Sequence, residues 1–191
     1  MVLCLSTTGV ALAGPRAADD AEPPASGLAH TIVAQVDNGA GLSETALREA
    51  EQLAGRIYLA IGVQGIWVHG EVPLQDPRGL RVHVRLLSRR ESDRKIATER
   101  ISGRALGQAN RPARLVYAFC ARIGEASVKY LQEYTRLLGL VVAHEIGHVL
   151  LPAGSHGQTG IMTERVDLWT KQINRFTPDE GAAIRTMLGQ E

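Results

Sequence analysis

Residues 137–162 read LLGLVVAHEIGHVLLPAGSHGQTGIM, an apolar run that carries an HExxH pattern and is stopped by Pro152. Leu137 to Ala143 is apolar nearly all round, as in a helix clamped between a sheet and other elements. On such a helix four residues is about one turn, so His144 and His148 project from one face and can grip one metal ion. Glu145 is offset by roughly 100° and reaches beside the metal rather than onto it. From there a carboxylate can take a proton from a water whose pKa zinc has lowered to about 7. The alternative, two histidines placed by accident, leaves unpaired imidazoles and a carboxylate in apolar surroundings, a costly arrangement that coordination relieves.

A catalytic zinc takes three protein ligands and keeps one position open. Pro152-Ala153-Gly154 supplies a helix stop and a turn, and His156 follows at once as the candidate third ligand. A solvated loop histidine is the other reading of that residue. Gly157 and Gly160 then lead into Ile161-Met162, where Met162 can form an apolar floor beneath the metal or simply belong to the core.

The flanking sequence surrounds this helix with a sheet. His30 to Asp37 (HTIVAQVD) is rich in β-branched residues and ends at the turn pair Asn38-Gly39. Ser43 caps an expected helix to about Ile61, with Leu47, Ala50, Ala54, Ile57 and Ile61 on one face. Gly62 and Gly65 punctuate, and Ile66 to Val72 reads as a second strand. Leu80 to Leu87 alternates, Val82, Val84 and Leu86 against Arg81, His83 and Arg85, which describes a strand with one buried and one wet face. Residues 89–104 are charged and show no clear period; 104–109 suits a short edge strand, and Leu115 to Ile123 a buried one. Thr177 as N-cap with Pro178 behind it starts a last helix, running to Gly189. The order is strand, helix, three or four strands, helix, loop, helix: an α/β sandwich on a mixed sheet.

Composition narrows the classes of function. The 191 residues are 45% hydrophobic and 21% charged, ordinary for one globular domain. The formal charge of +1 leaves no electrostatic footprint for nucleic acid, and no apolar run approaches the roughly 18 residues of a membrane span. Arg81, Arg85, Arg89, Arg90, Arg94, Lys95, Arg100 and Arg104 could form a basic docking surface. Glu91, Asp93 and Glu99 interrupt them, so a solvated sheet face is the expected reading. Two cysteines, Cys4 and Cys120, build neither a disulfide framework nor a CxxC site, and Cys120 reads as a small buried hydrophobe. Residues 1–13 end in Ala11-Leu12-Ala13 and read as a signal peptide without a basic n-region, which implies a secreted or periplasmic protein. Residues 14–27, rich in Ala, Pro and acid, read as a flexible linker ahead of a single domain over 28–191.

The span from His144 to Met162 resembles the metzincin clan of zinc peptidases, and within it small bacterial matrixin-like members. Their signature is HExxHxxGxxH followed by a Met-turn. Here Leu151 occupies the glycine position and the third histidine comes two residues later, as HExxH-x7-H, with Gly154 as the turn residue and Gly-Ile-Met at the Met-turn. The resemblance implies a metzincin-like α/β fold: a mixed, twisted sheet of four to five strands with a backing helix, an active-site helix and a C-terminal helix. It implies Zn2+ on His144, His148 and His156, Glu145 as general base, Met162 as the Met-turn residue, and a peptide or protein substrate paired antiparallel to an edge strand within 104–109. It also implies a prodomain cysteine capping the zinc in many members; Cys4 lies in the expected signal, so that switch is expected to be missing. Tyr117, Tyr130 and Tyr134 are the candidates for stabilising an oxyanion. The implied activity is hydrolysis of peptide bonds by a zinc-activated water. Two rivals stand beside it: a non-catalytic zinc-binding or interaction domain, and a gluzincin-like peptidase with Glu164 as third ligand, at a spacing shorter than that family uses. Substrate identity and oligomeric state do not follow from these residues.

Overall fold

The β-branched run His30–Asp37 forms β1, an interior strand of a five-stranded sheet. This computed structural model describes residues 30–70, 79–130, 133–163 and 175–189, so the expected signal peptide and linker, and Glu164, lie outside the described residues. β1 pairs in parallel with β2 (Val63–His69) on one side and β3 (Leu80–Leu87) on the other. β5 (Leu115–Phe119) continues the parallel set beside β3, and β4 (Gly107–Asn110) closes the edge antiparallel to β5. The sheet is therefore mixed, as expected. No described helix is long and apolar enough to cross a membrane.

Between β1 and β2 runs α1 (Glu44–Leu59), whose first turn is capped by the Ser43 side chain accepting from Ala46 N. Its apolar stripe, Leu47, Ala50, Ala54 and Ile57, is buried in the core with the alternating set Val82, Val84 and Leu86 of β3. Across this layer lies α4 (Tyr134–Leu150), the helix of the HExxH pattern. The two helices meet at Gly139, where a Cβ would stand 2.7 Å from Ala50 O and 3.1 Å from Leu53 Cβ. Tyr58, fully buried, donates its hydroxyl hydrogen to Ala143 O at 2.8 Å and pins α1 one residue before His144. Such a bond contributes about 1 kcal/mol net.

Four expectations are corrected. The charged stretch after β3 is a helix, α2 (Arg89–Glu99), rather than a sheet face: Ser88 and Glu91 form a capping box that nucleates it despite its polar composition. The buried strand stops at Phe119, and Cys120–Lys129 is α3, with Cys120 and Ile123 turned into the core. The edge strand covers Gly107–Asn110 rather than 104–109, and β2 begins at Val63, ahead of the expected Ile66 and continuing through Gly65. Cys120 is buried as expected, and burial pushes its thiol pKa up. The last helix, α5 (Pro178–Leu188), starts on the expected Thr177 cap, which Glu180 completes as a second capping box. Arg185 Nη1 of α5 donates to Ile61 O at 2.9 Å, tying this helix to the end of α1.

Candidate metal centre

The last two turns of α4 carry His144 and His148, half-buried on the face that looks into a cleft, while Leu140, Ala143, Ile146, Val149 and Leu150 are buried. His144 Nδ1 lies 2.7 Å from Ile161 O. A carbonyl only accepts, so the ring carries its proton on Nδ1 and presents a lone pair at Nε2. That Nε2 faces His148 Nε2 at 3.0 Å. Nitrogens held by a tetrahedral zinc at about 2.0–2.1 Å stand roughly 3.3 Å apart, a little wider than the 3.0 Å between these two rings.

The return of the chain follows from backbone chemistry. Leu151 caps α4 in extended conformation, Pro152 cannot continue the helix, and Gly154 takes a φ of 77° that favours glycine. His156 then comes back over the helix, with ring centroids 4.6 Å from His148 and 5.7 Å from His144. One nitrogen from each of the three rings lies within 4.8 Å of the others, a group that could hold a metal ion. The loop beyond is closed by Gly157 N donating to Met162 O at 2.9 Å and by Gly160, whose φ is 80°. Ile161 N donates to Arg175 O at 2.9 Å, so the carbonyl that orients His144 belongs to a residue anchored at both ends.

Met162 is fully buried. Its Sδ fills the place a Cβ at Gly147 would need, 2.6 Å away, so the methionine packs against the helix between the two histidines. The methionine thus occupies the space a side chain at Gly147 would take, which accounts for the glycine inside HEIGH.

The electrostatics suit neutral ligands. Burial lowers the pKa of both helix histidines, that of His148 to about 4, with the neighbouring imidazoles acting in the same direction. At neutral pH both present lone pairs rather than protons, the form a metal requires. Glu145 is 8% exposed, and burial raises its carboxyl to about 8. The three imidazoles thus fit zinc by donor type and by their convergence beside the cleft.

The cleft has a volume of about 1330 Å³, and Glu145 and the three histidines line it together with Leu106 and Gly107 of the edge-strand wall. Gly107 touches Glu145: a Cβ there would lie 2.7 Å from Glu145 Cγ and Oε1. Of the three tyrosines considered for an oxyanion, Tyr130 lines the cleft. Tyr117 instead stacks beneath Lys95 Nζ, 3.7 Å from its ring centroid. The Tyr134 hydroxyl is hydrogen-bonded to Cys120, and burial pushes its pKa well up. The sequence carries no sign of Gly107 as a neighbour of Glu145, nor of α3 as a cleft wall. The strand register that brings them there is tertiary, although the glycine opening a short strand was a visible hint.

No protein-family model matches the chain, and no curated protein sequence matches it either. Solved structures do. An archaemetzincin from Methanopyrus kandleri superposes with a TM-score of 0.50 at 14% identity, over 84% of this chain and 96% of that one. A zinc-dependent peptidase from Methanocorpusculum labreanum gives 0.51 at 12% identity, over 80% of this chain and 99% of the other. At these identities the likeness is one of fold, and the mixed α/β architecture of this chain is that of these zinc-peptidase structures.

Proposed function

We propose that the chain is a zinc-dependent metalloendopeptidase, a small matrixin-like member of the metzincin clan, with zinc on His144, His148 and His156 and Glu145 as general base. The observation that carries this reading is the convergence of three imidazoles beside a buried carboxyl at one end of a cleft. Zinc held there lowers the pKa of a bound water to about 7 and polarises a carbonyl oxygen.

The chain's own residues do the rest. β4 has a sheet partner only on the β5 side among the described residues, so its outer edge offers N–H and C=O groups to an extended peptide laid antiparallel along it. Gly107, lacking a side chain, lets that edge run against Glu145. With zinc bound, its charge would favour the carboxylate that burial alone disfavours, and Glu145 would accept a proton from the attacking water and pass it to the leaving amine. His144 stays oriented through its Nδ1–H bond to Ile161 O, and Met162 keeps the underside of the helix dry. A non-catalytic zinc-binding domain has no use for a buried carboxyl facing a cleft of this size. The Ala11-Leu12-Ala13 ending supports export of the enzyme.

Glu145→Gln keeps the shape of the side chain and removes the base. It is expected to bind zinc like the parent and to lose peptide hydrolysis by at least about 10²-fold, the lower range of general-base contributions. Parent-like turnover in that variant would contradict the assignment.

A further inference from the structure

The cleft beside the candidate metal centre is uneven in charge. Arg89, Arg104, Arg122 and Lys129 line it, all from α2, α3 or the segment leading into β4, and none from the histidine end. Two of these are committed elsewhere. Arg89 Nη2 stands 2.8 Å from Glu125 Oε1. Arg122 Nη1 donates to Ser102 O at 3.0 Å and Ala105 O at 3.3 Å, which ties α3 to the chain entering the edge strand. Arg104 and Lys129 are exposed to the cleft and have no acidic partner among the described residues. Lys129 Nζ sits 5.1 Å from the ring centroid of Tyr130, which lines the same cleft. The acids on these walls are Asp93 and Glu125, and Glu125 is paired with Arg89.

Strand direction tells which part of a substrate meets these cations. Arg104 lies just before Gly107, at the N-terminal end of β4. A peptide antiparallel to β4 points its C-terminal part toward that end. We propose that the cleft selects peptides bearing a carboxylate a few residues C-terminal to the scissile bond, held by Arg104 and Lys129. This rests on the peptidase reading above and names its substrate class. The carboxylate has two sources, an Asp or Glu side chain or the peptide's own C-terminus. Ion pairs at half-open sites are modest, so the selection is several-fold rather than absolute, and salt weakens it.

The test uses the zinc-loaded parent and the double variant Arg104→Gln/Lys129→Gln. Each is given one peptide sequence carrying Glu, Gln or Lys at successive positions after the scissile bond, as the C-terminal acid and as the amide. The parent is expected to prefer Glu over Lys, or the acid over the amide, by about fivefold or more in kcat/KM. The double variant should bring that ratio below about twofold, and added salt should shrink it in the parent. A preference for Glu in the amide series assigns the side chain as the source, and a preference for the acid whatever the side chain assigns the terminus. Either supports the proposal. Zinc content of the double variant reports that its fold is kept. Equal kcat/KM across the series in the parent, or a preference that survives in the double variant, overturns this proposal while hydrolysis of the Gln amide leaves the peptidase reading standing. No hydrolysis of any peptide by the parent overturns both.

Discussion

At Gly107 the edge strand and the carboxyl of Glu145 compete for the same space. A methyl group there would lie 2.7 Å from Glu145 Cγ and Oε1 and 2.9 Å from Tyr117 O, which is backbone and cannot step aside. Gly107→Ala therefore displaces Glu145 rather than the sheet. Misplacing a reacting group by about 1 Å can cost on the order of 10²-fold, so kcat should fall by at least about tenfold while zinc content stays at the parent level. Metal analysis beside steady-state kinetics checks this, and an unchanged kcat would mean that Glu145 tolerates the shift. His144, Glu145 and His148 were legible in the sequence because helical periodicity alone groups them, and His156 because Pro152 and Gly154 turn the chain back. Gly107 was not, since the approach of β4 to α4 depends on the whole sheet. For the same reason the sequence does not show that Arg104, part of the charged stretch after β3, lines one cleft with Lys129 of α3.

Two elements have the same capping chemistry and different neighbours. Ser88 and Glu91 close the first turn of α2, and Thr177 and Glu180 that of α5. The α5 box abuts the metal loop: a Cβ at Gly157 would lie 3.0 Å from Glu180 Oε1, and one at Gly160 would lie 3.4 Å from Thr177 Cγ2. Ser88→Ala and Thr177→Ala should each lose about 1 kcal/mol of stability in urea denaturation. Thr177→Ala alone should also weaken zinc binding in a competition titration with a chelating dye. Equal zinc affinity in the two variants would show that α5 does not brace the loop. The elements that the sequence revealed, β1, α1, β3, α4 and α5, carry alternation, an apolar stripe, continuous apolarity or caps. α2 was lost because its residues are polar on every side, although its Ser-x-x-Glu cap was present to be read. α3 was lost because its buried Cys120 and Ile123 continue the apolar run of β5 without a break.

Over the whole molecule, the candidate metal centre adds a tie between α4 and the loop from Pro152 to Thr163, which Ile161 N links to Arg175 O on the approach to α5. A ligand that binds only the folded chain adds stability by mass action, about 2.7 kcal/mol at 100 times its Kd. For a chain of this size each kcal/mol moves Tm by about 2–4 °C, so chelation should lower Tm by roughly 5–11 °C. Coincident melting curves with and without chelator would deny the metal a structural share. The α/β class and the mixed sheet were legible because element order survives errors in element ends. The crossing of α1 and α4 at Gly139 was not, because it depends on a contact between distant segments. The most direct test of the central claim is zinc content by mass spectrometry of the purified protein and of His156→Ala. The three-histidine centre predicts about one zinc per chain in the parent and a marked loss in the variant. Equal zinc in both, or none in the reconstituted parent, would contradict it.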